Sequence, residues 1–162
     1  MDFTNEHVRR QDRTLDETSA LEILKKGEYG VLSMQTEDGQ GAYGIPLNYV
    51  WDHGDSIYIH CAPMGRKLQC IDACHNVSFC VVGRTQVAPE QFTTAYESII
   101  LRCSAHYGLP EPERMSALSW LVSKYCPNNK IQGMENAERS FHRTEIIRLD
   151  IQEISGKGKV VR

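Results

Sequence analysis

No stretch of this 162-residue chain holds about 18 consecutive apolar residues, the length a helix needs to cross a bilayer. No membrane span is expected. The N-terminus, Met1-Asp2-Phe3-Thr4-Asn5-Glu6, is acidic where an export signal begins basic and turns apolar, so the expected location is the cytoplasm. Positive charge is also scarce. Lysine and arginine total 18 against 21 acidic residues, a net charge of -3, which leaves no broad basic surface for neutralising nucleic-acid phosphates. The chain contains no C-x-x-C, no G-x-x-x-x-G-K-[ST], no G-x-G-x-x-G with a ribose-binding acid and no H-E-x-x-H. No Ser/His/Asp or paired-carboxylate arrangement supports hydrolysis either.

Six cysteines are present, and a chain long enough to bury about two-thirds of its unfolded surface needs no disulfide staples. They read as free thiols. Cys70, Cys74 and His75 are close enough in sequence to suggest a metal, yet no second ligand pair follows at zinc spacing. A metal sensor built on these three residues is the third reading to test. Hydrophobic residues at 41% and charged residues at 24% match an ordinary single folded domain.

The first element reads as a helix. Thr14-Leu15-Asp16-Glu17 has capping-box spacing, Ala20, Leu21 and Leu24 share a face, and Gly27 ends it. From Val31 the pattern turns to strand, with residues 37–40 as a hairpin turn and residues 42–51 as the returning run. Pro46 cannot donate to a ladder, which makes that run an edge strand or one broken by a bulge. Residues 56–61 form a third strand, residues 66–74 a short helix with Leu68, Ile71 and Cys74 inward, and residues 77–82 an apolar strand.

A polar loop precedes a long strand over residues 96–106, and Pro110-Glu111-Pro112 opens a helix carrying Met115, Leu118, Leu121, Val122 and Tyr125, with Trp120 in its core. Residues 130–142 are ambiguous. Residues 144–154 alternate as a half-buried strand. Short strands joined by hairpin-like turns, with few helices, predict a mainly β (α+β) fold: an antiparallel β-barrel with peripheral helices. The expected boundaries are an N-terminal arm over residues 1–13, the domain over 14–155 and a C-terminal tail over 156–162.

One segment stands out chemically. In His60-Cys61-Ala62-Pro63-Met64-Gly65-Arg66-Lys67 a strand ends, glycine permits a turn, and a helix opens with two cations that oppose its dipole. An anion on the first-turn amides would explain them. Simple solvation of Arg66 and Lys67 is the alternative.

Three motifs then occur in order: Tyr43-Gly44-Ile45-Pro46-Leu47-Asn48-Tyr49-Val50, His60-Cys61-Ala62-x-x-Gly65-Arg66-Lys67, and Val77-Ser78-Phe79-Cys80-Val81-Val82. Tyr96-x-Ser98-Ile99-Ile100 and Ile154-Ser155-Gly156-Lys157 extend the pattern. Over residues 15–158 the chain resembles the pyridoxamine 5'-phosphate oxidase-like flavin split barrels, and most of all their nitroimidazole-resistance branch.

The resemblance implies FMN, with FAD as the alternative, in a cleft between two subunits of a homodimer. It implies a phosphate held by Gly65, Arg66 and Lys67, a ring edge against the backbone of Ile45, Pro46, Leu47 and Asn48, and His60, Cys61 and Ala62 beside the cavity. Ser98 and Lys157 are further candidates, Lys157 either closing the cavity or belonging to a loose tail. His60 is the implied proton donor, its alternative being a core histidine at a strand end. The implied activity is reduction of a small aromatic acceptor, a nitroimidazole-type nitro group in the branch it resembles, with NAD(P)H or another reductant. The competing reading is a flavin- or haem-binding module without turnover.

Overall fold

The computed structural model describes residues 1–161. Its sheet is built from β1 (Asp2–Phe3), β2 (Tyr29–Gln35), β3 (Ala42–Asn48), β4 (Val50–Trp51), β5 (Ser56–Cys61), β6 (Asn76–Ala88), β7 (Thr93–His106) and β8 (Glu145–Lys159). The order across it is β3-β2-β6-β7-β8-β5-β4, antiparallel throughout, with β1 added parallel to β8 at Glu153 and Ile154. Among the described residues no ladder joins β3 to β5, so the barrel is split along that seam. Four helices surround it: α1 (Glu17–Lys26), α2 (Arg66–Ala73), α3 (Glu111–Tyr125) and α4 (Lys130–Ser140). No described helix is long and apolar enough to cross a membrane.

Local chemistry accounts for most element ends. Asp16 caps α1, its Oδ1 accepting from Ser19 N at 2.8 Å, whereas Thr14 gives its hydroxyl proton to Gln11 O. The cap is thus two residues later than the S/T-x-x-E spacing suggests. The β2–β3 hairpin turns where Asp38 Oδ1 accepts from Thr36 Oγ1 and Gln40 N, with Gly39 at φ +70°. Pro46 sits opposite Val31 on β3, an edge strand, where a missing N–H breaks no ladder. In α2 the inward thiol is Cys70, not Cys74, because the helix ends at Ala73 and Cys74 is already extended at φ -152°.

Two strand regions differ from the sequence pattern. Strands β6 and β7 run on as a polar hairpin arm through residues 83–95, which both faces meeting solvent kept from alternating. A register shift between Val82 and Thr85 bends the arm; Gly83 makes room there for the Glu97 side chain, which accepts from Arg84 N. In β8 a second shift leaves Gln152 unpaired, so Ile151 and then Ile154, rather than Glu153, face the core.

The expected tail also joins the sheet: residues 156–159 continue β8 against β7. The N-terminal arm is tied in as well, by β1 and by Asn5, whose Oδ1 accepts from Gly156 N. Inside the barrel Phe79 meets Tyr49 edge to face at 5.1 Å, and both are fully buried. A smaller core packs α3 and Ala137 of α4 onto Val50, Tyr58 and Ile146. Both Ile146 and Ile147 are buried because β8 there has apolar neighbours on its two faces.

Candidate functional site

The site begins where the ladder stops. Tyr49, between β3 and β4, is outside any strand pairing, so its buried backbone groups need other partners. The Tyr125 hydroxyl accepts from Tyr49 N at 3.0 Å, and Lys124 Nζ donates to Tyr49 O at 2.9 Å and to Gly27 O at 2.7 Å. Tyr49 in turn donates its hydroxyl to Leu24 O, satisfying the end of α1. Sequence periodicity marked Tyr125 as apolar packing and carried no signal for Lys124.

Burial lowers the Lys124 pKa to about 8, from an ordinary 10.5, and the nearby Glu28 opposes that shift. The unfolded chain therefore keeps a proton that the folded one has lost between those values. Stability gained from this group rises with pH from about 8 through 10.5. The urea midpoint of the wild type should climb relative to Lys124→Met between pH 7.5 and 9.5, and parallel curves would show a well-solvated ammonium.

Past this knot, β5 carries His60 to its end, opposite Ile146, and Cys61 opposite Glu145. The chain then turns through exposed Ala62, Pro63 and Met64 to Gly65. Gly65 holds φ +142°, a value that side chains disfavour, and it caps α2 without any side-chain acceptor for the first-turn amides. Lys67 lies half-buried close to both His60 and Cys61. His60 is itself exposed at the end of β5, and desolvation first and Lys67 second push its pKa below the usual histidine value. Burial raises the Cys61 thiol, with Lys67 opposing.

Arg66 is more exposed and partly engaged. Its Nε lies 3.6 Å from Glu37 Oε2, and its guanidinium stands 5.0 Å from the Tyr43 ring centre. A phosphate fits this start on three counts: amides lacking a side-chain cap, a glycine that permits their exposure, and two cations in the first turn.

Along β3, Ile45 and Leu47 pack toward the core, and Pro46 and Asn48 face outward. As β3 pairs on one side only, alternate backbone groups point off the sheet, and Pro46 suits that outward phase, which Asn48 shares. Asn48 Nδ2 donates to Glu28 O.

His60 and Asn48 open onto a groove of about 360 Å³ roofed by α3 and α4. Leu118, Leu121 and Val122 supply its apolar wall, Tyr125, Asn136, Ser140 and Thr144 its polar groups, and among the described residues no Asp, Glu, Lys or Arg lines it. Gly133 lets the helices close together, since a Cβ there would lie 2.6 Å from Val122 Cγ1. The contribution of α4 was not readable from residues 130–142.

The structure does not bring every candidate together. Ser98 pairs with Lys157, whose ammonium stands 5.9 Å from the Tyr96 ring centre, at the end of β8 opposite to Glu145. Twelve residues of strand, on the order of 40 Å, separate Lys157 from the Glu145–Cys61 pair. Trp120 is an exposed rim residue of α3, not a core one. Cys70, Cys74 and His75 engage separate partners, Glu37 Oε2, Asn76 O and Ala105 O. All six thiols are free.

Comparison with known proteins agrees with this architecture. Among solved structures, a candidate 5-nitroimidazole antibiotic resistance protein from Bacteroides thetaiotaomicron superposes with TM-score 0.72 at 15% identity, over 90% of this chain and 86% of that one. A FAD-binding protein from Mesorhizobium loti gives 0.68 at 19% identity, over 91% and 98%. An FAD- and heme-binding protein from Mycobacterium smegmatis gives 0.71 at 15%, over 90% and 72%. At such identities these likenesses speak for the fold. No curated protein matches the chain. A family model described as pyridoxamine 5'-phosphate oxidase, however, aligns with residues 16–158, spanning the barrel from the cap of α1 to the end of β8, and the chain belongs to that family.

Proposed function

We propose that this protein is a cytoplasmic, homodimeric FMN-dependent oxidoreductase that reduces a small neutral aromatic acceptor, such as a nitroimidazole, with NAD(P)H or another reductant. The observation that carries the reading is the groove beside His60, apolar and free of formal charge, next to a helix start rich in positive charge. A phosphorylated amine such as the family's name suggests would need a cation in the groove, and its lining among the described residues has none. A flat uncharged ring with polar substituents suits its leucines, amides and hydroxyls.

FMN supplies hydride-equivalent reducing power when bound. The chain's own part is to hold the phosphate at Gly65, Arg66 and Lys67, to offer the outward backbone of Pro46 and Asn48 to the ring edge, and to pass a proton from His60 once the imidazole is charged. Ser98 and Lys157 reach such a site only from a second subunit, across the outward-facing stripe of half-buried Val31 and Cys80 and exposed Ile100. FAD, with its longer diphosphate, is the cofactor to test beside FMN.

The purified protein should be yellow, its flavin reduced by NAD(P)H and reoxidised by a nitroimidazole through many turnovers. Flavin that binds without turning over would make the protein a storage or sensing module, and a Soret band would point to haem. His60→Asn should slow reoxidation by about 100-fold, at the low end for a lost general acid, with FMN affinity kept. Because the His60 pKa is depressed, the wild-type rate should rise as pH falls below about 6.5, the ordinary histidine value. A rate as steep with pH in His60→Asn would remove His60 from the chemistry.

A further inference from the structure

A second cavity, of about 370 Å³, lies between β4, the turn after it and α3, and shares no lining residue with the groove of His60. It is within the roughly 300–1,000 Å³ range of small-molecule sites. Both tryptophans of the chain line it. Trp120 is braced edge-on by Tyr58 at 5.4 Å, and the Trp51 Nε1–H donates to Gly54 O at 2.9 Å. His53 lies 4.8 Å from the Trp51 ring and holds φ +64°, a left-handed conformation uncommon outside glycine. These contacts fix flat apolar walls in place.

Two cations and one acid line the cavity. Lys124 gives two of its three donors to Gly27 O and Tyr49 O, and its ammonium also stands 4.0 Å from the Tyr49 ring centre, so it offers the cavity a positive charge braced on three sides. Exposed Lys25 adds a second cation at the rim. The acid present, Asp52, is committed to its own turn, its Oδ1 accepting from Gly54 N at 2.8 Å and Ser56 N at 3.2 Å. We infer that this cleft is a second ligand site, separate from the flavin site, for a small planar aromatic carboxylate stacked at Trp51 and Trp120 with its anion held by the positive charge of Lys124 and Lys25. Indole faces provide stacking area, and a single ammonium is a point charge suited to one carboxylate.

The test uses 2-naphthoate titrated against the tryptophan emission of the flavin-loaded protein. Saturable quenching is expected, at least tenfold weaker for the neutral 2-naphthamide and at least tenfold weaker in Lys124→Met. Lys124 also supports the fold, so Trp120→Ala, at a surface position, is the second variant, with the same loss expected. Quenching that does not saturate, equal binding of the amide, or unchanged affinity in Trp120→Ala overturns the inference. Competition by free FMN in the cofactor-free protein would place the naphthoate in the flavin site and overturn it too. So would conversion of a dimer to monomer by Trp120→Ala, since a second copy would then cover the cleft.

Discussion

Replacing Phe79 by alanine should remove about 3–5 kcal/mol of stability, the range for deleting a fully buried phenylalanine. Its ring is wholly enclosed, rests on Tyr49 and fills the space that Gly30 leaves open. A Cβ on Gly30 would come within 2.3 Å of Phe79 Cε1 and 2.9 Å of Cys80 O. Gly30→Ala alone should therefore cost about 1–3 kcal/mol or more through overpacking. The ring contact disappears in the double variant, where the added methyl enters the cavity left by Phe79. Denaturant unfolding of all four proteins should show the two losses adding to more than the double variant loses. Strict additivity would mean that Gly30 is required by the backbone contact at Cys80 instead.

Arg66→Ala and Lys67→Ala should each weaken FMN by about 10- to 150-fold, equivalent to about 1.5–3 kcal/mol for a charged hydrogen bond lost. The structure separates the two. Lys67 is half-buried beside His60, whereas Arg66 is exposed and shares its charge with Glu37, so Lys67 should carry the larger loss. Glu37→Gln should tighten FMN a few-fold by releasing Arg66, and high salt should narrow every difference. Lys67→Ala has a second readout, because the like charge that lowers the His60 pKa is gone and the imidazole should titrate at higher pH by NMR. Unchanged flavin affinity in both single variants and in the double variant would reject the phosphate assignment.

Much of the framework could be read from the residues because its causes are local. Gly27 ends α1, Asp38 and Gly39 turn the first hairpin, Pro46 marks an edge strand, and residues 56–61 became β5 with both ends as expected. The pairing of Gly65 with Arg66 and Lys67 was equally visible, being five or six residues past a strand end. Alternation failed where a strand is solvated on both sides, as in the hairpin arm of β6 and β7, or where a bulge resets the phase, as at Gln152.

What the sequence determined by itself was a mainly β barrel with a glycine turn and two cations at one helix start. Periodicity, turn chemistry and helix capping act within a few residues and need no partner from afar. Tertiary structure alone decided the groove over His60, the Tyr49–Lys124–Tyr125 knot that satisfies a broken strand, and the distance that sets Ser98 and Lys157 apart from Cys61. Each joins groups far apart along the chain, and no periodicity records which side chain will meet an unpaired carbonyl 75 residues away.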